Sequence, residues 1–362
     1  MLTTAGCQQR LDRLRHLLEA ERIDVGLITH PKHVYYFSGF LAPWHERALL
    51  AVDRHAATLV CSRQPAATAA SAVRVCELQS LATIRPDQSQ RIAAMLGDLI
   101  GPAGRVGTEW STCDARWARL VAGELVDLQP AIERLRRRKD PDELALLRKS
   151  AECIDACYRY AAGVVEPGLD ELDLYSGLHR AAVAAAGEPI GRFGNDFQSG
   201  TPGGPPRRRR AREGELWILD LSVEYRGYAA DACRVFAVGS AVTDQQYAAW
   251  EKIHRALAFA EQRARPGGSC SELYEQVKRQ LDDARPAAFP HHLGHGIGLD
   301  AHETPRLNPC WDDCFAEGDV VTIEPGLYHD SLRGGLRIEN DYVVTAHGAE
   351  PLNAFPLEIH VR

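Results

Sequence analysis

A histidine- and glycine-rich stretch, residues 291–303, constrains what this chain can fold into more than any other part of the sequence. It contains His291, His295 and His302, and glycines flank the middle histidine. Glycine lets the backbone approach a bound ion closely, and neutral imidazole is the commonest protein metal ligand near neutral pH. A predicted apolar strand that carries Glu324 follows this stretch. The pattern therefore predicts a metal site around His295.

A predicted pair of strands, 214–223 and 228–238, carries Asp220 and Asp231. A hairpin that is symmetric about residues 225–226 would place the two aspartates directly opposite each other, with Cβ atoms about 4.5–5.5 Å apart. Like charges at that separation are destabilising unless a cation lies between them, and an apolar strand is a poor place for a free carboxylate. The hairpin therefore adds two candidate metal ligands.

A second predicted pair of strands, 320–327 and 336–344, repeats the arrangement with Glu324 and Glu339. The alternative is that all four acids lie on solvated strand faces, but two such hairpins beside a glycine-flanked histidine are hard to obtain by chance. Four carboxylates and one imidazole suit divalent manganese, cobalt, iron or zinc better than copper(I). Two such ions about 3.5–4 Å apart can activate water and stabilise a tetrahedral intermediate.

The length of 362 residues predicts two domains, because it exceeds what one hydrophobic core usually serves. Alternating strands and helices up to about residue 128 indicate an α/β unit, in which residues 34–40 are predicted as a strand. Helical periodicity follows over 141–163 and 169–186. Glycine and proline then predict a loop over 190–212.

These residues together resemble the pita-bread metallopeptidases, in particular the branch of prolidase and aminopeptidase P. The similarity covers nearly the whole chain, and residues 35–40 and 135–151 are similar to the N-terminal signature and the first catalytic helix of that branch. By this resemblance the five metal ligands are Asp220, Asp231, His295, Glu324 and Glu339.

The resemblance implies an α+β fold. A smaller α/β creatinase-like domain over 1–130 and a linker over 131–142 would precede a pita-bread catalytic domain over 143–362, which has a curved antiparallel sheet with helices on its outer face. It also implies two bound divalent ions, with manganese first and cobalt, zinc or iron as alternatives.

Further site residues follow from the same resemblance. Glu324 would also be the acid–base residue, while His291 and His302 would contact the substrate and the tetrahedral intermediate, or else only orient the ligands. Arg337 matches the arginine two positions before the last glutamate and is expected to bind substrate. His45 lies in a loop that is similar to one reaching a partner's pocket in a homodimer, although an ordinary surface loop is an equal alternative.

Two positions depart from the pattern of this branch. No histidine lies between residues 187 and 220, where the branch usually carries another catalytic histidine after a Ser-Gly pair. Arg207 or a neighbour could compensate, or the substrate could differ. His292 stands where the family often has a small residue, and we interpret it as a neutral or mildly tuning change. The run 207–210 of four arginines could hold a carboxylate-bearing substrate, but a solvated loop is the commoner explanation.

The leading hypothesis is a dinuclear-metal exopeptidase that hydrolyses the bond before proline, with Xaa-Pro dipeptidase first and aminopeptidase P second. The alternative is a metal-dependent hydrolase of a non-peptide C–N bond. A net charge of −7 gives no reason to expect nucleic acid or a membrane surface as partner, and the substrate is expected to be a peptide or small amide. No apolar run approaches the ~20 residues that span a bilayer, and no signal peptide is visible, so we expect a cytoplasmic protein whose ten cysteines are free thiols.

Overall fold

The computed structural model describes residues 1–77, 79–80, 83–84, 86–240, 242–282 and 288–361. The chain divides into two compact units, Met1–Arg136 and Arg137–Arg362. The division lies inside the segment 131–142, for which a linker is expected. Within the described ranges, none of the helices combines the length and the apolar character that crossing a membrane requires. All ten cysteines are free thiols, as predicted.

The first unit is built around a six-stranded mixed sheet in the order β4-β3-β2-β1-β7-β8. Its elements, in chain order, are α1 (Thr4–Ala20), β1 (Val25–Ile28), α2 (Pro31–Ser38), β2 (Leu49–Val52), β3 (Ala57–Cys61), β4 (Ala72–Val75), β5 (Gln79–Ser80), β6 (Thr83–Ile84), α3 (Gln88–Ile100), β7 (Arg105–Thr108), α4 (Ala115–Ala118), β8 (Glu124–Asp127) and α5 (Gln129–Arg137). The short strands β5 and β6 form a separate two-stranded sheet.

The strand predicted over residues 34–40 is wrong, because this segment belongs to helix α2. Its residues 33–38 are all buried, and a fully buried apolar run has the same pattern in a helix as in a strand. The signals that favour the helix lie at its ends. His30 caps the first turn, Pro31 occupies the first helical position, and Gly39 ends the helix in the left-handed conformation with φ 78°.

The second unit contains two antiparallel sheets with helices packed against them. Its elements are α6 (Pro141–Val164), α7 (Glu171–Ala186), β9 (Phe193–Asp196), β10 (Leu216–Tyr225), β11 (Tyr228–Ala237), α8 (Asp244–Glu261), α9 (Cys270–Asp282), β12 (Gly294–Gly296), β13 (Glu303–Leu307), β14 (Val320–Ile323), β15 (Gly326–Leu327), a 3-10 turn (Asp330–Leu332), β16 (Leu336–Arg337), β17 (Asn340–Thr345) and β18 (Gly348–Pro351). One sheet has the order β11-β10-β9 and the other β13-β12-β14-β17-β18, while β15 and β16 pair separately.

Strand β10 shows how the cores are divided between the faces of a sheet. Trp217 and Leu219 pack with residues of α6 and α7, whereas Leu216 and Ile218 pack with residues of α8 and α9. Because successive side chains of a strand point to opposite faces, Asp220 continues the row of Leu216 and Ile218. The hydrophobic alternation that builds both cores therefore also determines the face on which this carboxylate lies.

Strand β9 was not predicted, because it lies inside the segment 190–212 that was expected to be a loop. It is only four residues long and its side chains are half-buried. It pairs antiparallel with β10, so that Asp196 lies opposite Asp220 and Asn195 opposite Leu221. This short strand is what brings two further polar side chains beside the predicted metal ligands.

Candidate active site

The two aspartates of the β10–β11 hairpin lie on the same face but are not directly opposite. Asp220 pairs with Cys233, and Asp231 pairs with Ser222. The predicted register is therefore wrong by two residues along the partner strand. The reason is a two-residue turn at positions 226–227, where both residues have positive φ, 50° and 89°. Such a turn matches the twist of the hairpin and shifts the axis of symmetry by one residue.

The second hairpin places its two glutamates as expected. Ile323 pairs with Asn340 on one side, and Gly326 pairs with Arg337 on the other. Glu324 and Glu339 occupy the same register between these two ladders. The backbone of Glu339 also exchanges hydrogen bonds with Cys233 of β11, at 3.2 and 3.4 Å. This bridge joins the two sheets and brings Glu339 next to the strand that carries Asp231.

His295 is held in the middle of strand β12 by its two flanking glycines. A Cβ atom on Gly294 would lie 2.0 Å from the carbonyl oxygen of Thr322, and one on Gly296 would lie 2.3 Å from that of Thr304. Neither position has room for a side chain, because the backbones of the neighbouring strands β13 and β14 lie too close to β12. The Nδ1 atom of His295 contacts the carbonyl oxygen of Gly296 at 3.0 Å. Its Nε2 atom is therefore the nitrogen available to a metal.

The five predicted metal ligands are all buried, with relative exposures between 1% and 7%, which excludes the alternative of solvated strand faces. Asp231, His295 and Glu339 each offer one ligand atom, and these atoms lie within 4.8 Å of one another. The Oε2 atom of Glu339 is buried and accepts no hydrogen bond from any residue that the structure describes. An unsatisfied buried carboxylate oxygen is costly, and a cation at this point would satisfy it. The donor set therefore fits a divalent metal.

The electrostatics of the carboxylates support the same conclusion. Burial, and then the charge of neighbouring acids, raises the pKa of Asp231 and of Glu339 well above the usual value. The pKa of Asp220 is also raised, by burial, although Arg337 opposes the shift. Without a cation the burial of these acids favours their protonated forms, whereas a bound divalent ion would stabilise their ionised forms.

Glu324 differs from the other carboxylates because imidazoles surround it. Its Oε1 atom lies 2.9 Å from His292 Nε2 and 3.6 Å from His295 Nε2. Burial alone would raise the pKa of Glu324, but the hydrogen bond from His292 and the nearby histidines lower it to about 2. Burial lowers the pKa of His295 to about 4, so that this imidazole is neutral and able to bind a metal near pH 7. Glu324 is correspondingly ionised and able to accept a proton.

Arg337 contacts the site from the strand opposite Glu324. Its Nε and Nη2 atoms donate to Asp220 Oδ2 at 3.0 and 2.6 Å, and Nη2 also donates to Asp196. Its Nη1 atom donates to the Tyr328 hydroxyl at 2.9 Å, which in turn lies 2.7 Å from His291 Nε2. The guanidinium therefore contacts one predicted metal ligand, Asp220, and, through Tyr328, one of the predicted catalytic histidines.

Asn195 and Asp196 are neighbours of the site that sequence reasoning missed. The Nδ2 atom of Asn195 lies 3.2 Å from Asp220 Oδ1 and 3.3 Å from both carboxylate oxygens of Asp231. It bridges the two aspartates of the hairpin and holds their separation. The only sequence signal would have been a short polar strand inside a glycine-rich loop, which periodicity does not detect.

His302 lies on the connection between β12 and β13 and stacks against His295, with ring centroids 3.9 Å apart. The adjacent Glu303 anchors this connection. Its carboxylate accepts hydrogen bonds from Lys139 Nζ at 3.0 Å and from the backbone N–H of Asp300 at 2.9 Å. His291 and His302 thus both lie beside the ligand cluster, one on each side of His295 in the sequence.

Comparison with known proteins identifies the family. The model of metallopeptidase family M24 matches residues 145–346, which is more than half of the chain, and the model of the creatinase/prolidase N-terminal domain matches residues 10–138. The chain belongs to metallopeptidase family M24. It is therefore a metal-dependent peptidase, and the expected order of a creatinase-type domain followed by the catalytic domain is confirmed.

Similar proteins cover nearly the full length of this M24 chain. An uncharacterized peptidase of Staphylococcus aureus strain MW2, MW1651, is 28% identical, over 96% of this chain and 99% of the relative. A prolidase from Pyrococcus horikoshii OT3 has a TM-score of 0.81 at 23% identity, over 97% of this chain and 99% of that one. An Xaa-Pro dipeptidase from Bacillus anthracis has a TM-score of 0.84 at 21% identity, over 98% and 100%. These structures confirm the predicted fold.

The arginine run, residues 207–210, forms ion pairs with acidic side chains of its own unit. Arg207 donates from Nη2 and Nε to the two oxygens of the buried Glu171, at 2.7 and 3.0 Å. Arg209 donates from Nη1 to Glu215 Oε2 at 2.9 Å. Both side chains therefore tie their own loop to α7 and to the start of β10. Arg208 is exposed. The interpretation of the run as a structural loop fits these contacts better than a substrate site.

His45 belongs to the first compact unit, whereas the metal ligands belong to the second. Its Nε2 atom lies 3.7 Å from Glu46 Oε1, and the preceding Trp44 is 93% exposed. The roles expected for His45, for Arg337 and for the catalytic histidines remain predictions.

Proposed function

We propose that this M24 peptidase is an Xaa-Pro dipeptidase that uses two divalent cations, with manganese first and cobalt, zinc or iron as alternatives. The observation that carries the proposal is the convergence of two strand pairs and one glycine-flanked histidine on a single buried cluster. The ligand assignment is Asp220, Asp231, His295, Glu324 and Glu339. When bound, the ions would activate a water molecule and stabilise the negative charge of the tetrahedral intermediate.

The other proposed roles in the reaction belong to side chains around the metal ligands. Glu324 is ionised and buried, so it accepts a proton from the attacking water and passes it to the leaving nitrogen. His302 lies against His295, and His291 contacts Tyr328 beside the cluster, so these two histidines hold the substrate carbonyl and the developing oxyanion. The nitrogen atoms of Arg337 donate hydrogen bonds to Asp220, Asp196 and Tyr328, so the side chain would act on a substrate through these groups and not by direct contact. We therefore propose that it positions these groups.

Aminopeptidase P activity is the next candidate. A different class of function is also possible on this site, namely metal-dependent hydrolysis of a non-peptide C–N bond. The absence of a histidine between residues 187 and 220 favours this alternative, because the group that usually handles the scissile amide is missing and Arg207 is occupied by Glu171. Neither alternative changes the assignment of the metal ligands.

Hydrolysis by the chelated and reloaded full-length chain separates these functions. The panel contains Xaa-Pro dipeptides, tripeptides with proline second, dipeptides without proline and small amides, each assayed with manganese or cobalt. Turnover of Xaa-Pro dipeptides alone supports the proposal. Turnover of the tripeptides would assign aminopeptidase P activity. Turnover of the amides without any peptide cleavage would overturn the proposal in favour of the C–N hydrolase.

Substitution of Glu324 tests the proposed acid–base residue. Glu324→Gln keeps the size of the side chain but removes its ability to accept a proton, so turnover should fall by about 10²–10⁴-fold while circular dichroism stays unchanged. Glu350→Gln, at an exposed position of β18, is the matched control and should keep full activity. Equal activity of the two variants would remove Glu324 from this role.

Three further expectations belong to the same proposal. We infer a homodimer in which His45 lines the pocket of the partner subunit, a cytoplasmic location, and a peptide substrate without nucleic-acid or membrane partners. Support comes from the net charge of −7 and from the exposure of Trp44 beside His45. Light scattering, together with activity of a His45→Ala variant, tests the dimer and its contribution to the pocket.

A further inference from the structure

Three imidazoles form a second group of potential metal ligands that overlaps the first. His292, His295 and His302 each offer a ring nitrogen, and these nitrogens lie within 4.8 Å of one another. The ring centroid of His292 lies 5.5 Å from that of His295 and 6.1 Å from that of His302. The five-ligand assignment uses only one of these three histidines, so the two others are additional nitrogen donors beside it.

The geometry makes His295 the residue that the two groups share. Its Nδ1 atom is taken by the carbonyl oxygen of Gly296, which leaves Nε2 as its single ligating atom. One nitrogen lone pair binds one metal ion at a time. Glu324 Oε1, at 2.9 Å from His292 Nε2 and 3.6 Å from His295 Nε2, lies close enough to be a fourth donor on the imidazole side. A cation held by the imidazoles would therefore withdraw His295 from Asp231 and Glu339.

The two groups differ in how strongly they favour zinc over manganese, although zinc can bind to either. Imidazole nitrogen suits zinc, whereas carboxylate oxygen suits manganese, and zinc prefers four ligands in tetrahedral geometry. Three imidazoles with one carboxylate or water complete such a set. His295 is buried, His292 is half-buried and His302 is exposed, so the group extends from the ligand cluster to the surface and a cation can enter from solvent.

We propose that His292, His295 and His302 form a zinc-binding site that competes with the carboxylate cluster for His295. His292 is then not the neutral change expected from the sequence, but the residue that creates the site. The proposed zinc binding is argued from the proximity of these three side chains and does not depend on the proposed function. Its consequence, that excess zinc lowers the activity of the manganese-loaded enzyme, rests on the proposed function.

Metal binding by the full-length chain tests the site without any assay of turnover. After chelation, zinc affinity is measured by competition with a chromogenic chelator, and manganese affinity by electron paramagnetic resonance of the free ion. The variants are His292→Gln and His302→Gln, and the control is His347→Gln, which replaces an exposed histidine between β17 and β18. Each test variant should bind zinc about tenfold or more weakly. Manganese affinity should fall much less than zinc affinity, because the substitutions remove no ligand of the carboxylate cluster and a glutamine amide at position 292 can still donate to Glu324.

X-ray absorption at the zinc edge gives an independent measurement, and it should fit about three imidazoles in the wild-type protein and fewer in His292→Gln. Zinc affinity equal to wild type in both variants would overturn the proposal. Equal losses of zinc and manganese affinity would also overturn it, since His292 would then act only by orienting Glu324. If the chain cleaves no Xaa-Pro peptide, the proposed function fails while the zinc measurements still decide this site.

Discussion

Removal of the metal should add a contribution that makes the stability of this protein fall as the pH rises above about 5. The reason lies in Asp231 and Glu339, whose pKa values are raised well above normal by burial and then by neighbouring carboxylates. An acid with a raised pKa in the folded state keeps its proton there, whereas the unfolded chain releases it above about pH 4–5. The folded state therefore binds more protons, and its free energy of unfolding decreases as the pH increases.

The magnitude follows from the number of protons. Each retained proton changes the folding equilibrium by up to tenfold per pH unit, so the protons of Asp231 and Glu339 together contribute at most about 100-fold, or roughly 3 kcal/mol, per pH unit. For a unit of this size, that corresponds to a fall in melting temperature of roughly 6–12 °C. The opposite contribution of Glu324, whose pKa is lowered to about 2, is fully present above pH 5 and is lost only in acid. It does not affect this window.

Thermal unfolding followed by circular dichroism checks this prediction. Above pH 5 the chelated wild-type chain should lose stability with rising pH relative to the same chain in saturating manganese, because the cation replaces both protons. The double variant Asp231→Asn, Glu339→Gln cannot retain these protons, so its chelated form should show a much flatter pH dependence. His292 and several buried thiols also have raised pKa values, but these groups are present in both chelated proteins, so the difference between the two slopes reports Asp231 and Glu339. Identical slopes for the two chelated proteins would refute the reasoning.

Three further substitutions test the parts that support the site. Asn195→Ala removes the bridge between the two hairpin aspartates and should weaken manganese binding about 10–100-fold, whereas Asn308→Ala, a loop control, should leave the affinity unchanged. Arg337→Lys keeps the charge but loses the bidentate contact, so manganese affinity measured by titration should also fall about tenfold or more; unchanged affinity would contradict the positioning role. Gly294→Ala would place a Cβ atom 2.0 Å from a backbone oxygen and should destabilise the fold by about 1–3 kcal/mol in denaturant unfolding, whereas Gly97→Ala, at an open helical position, should be neutral or stabilising.

The candidate metal ligands could be proposed from local sequence because each of them is marked by its neighbours. His295 lies between glycines whose lack of side chains is required by close strand packing, and the acids interrupt otherwise apolar strands. The long helices of the second unit were also predictable, since their apolar residues recur at helical spacing over many turns. These features depend on residues that are close together in the chain.

Prediction from local sequence was wrong where the same pattern of apolar residues is compatible with two different structures. The buried aromatic segment of α2 was predicted as a strand, because alternation disappears when every side chain is buried. The predicted register of the β10–β11 hairpin was also wrong, because the sequence is compatible with more than one position of the turn. The predicted symmetry of the β10–β11 hairpin differed from the real one by a single turn position, and that difference moved Asp231 from the position opposite Asp220 to a diagonal one.

The amino-acid sequence by itself determined which side chains can bind a metal, and it did so through glycine placement and the alternation of polar and apolar residues. Only the tertiary structure decided which atoms meet. It placed Asn195 between the two aspartates, and His292 beside Glu324 and two other imidazoles. The physical reason is that ligand separations of a few ångströms depend on strand register and on how the sheets pack, and both are set by contacts between residues far apart in the chain.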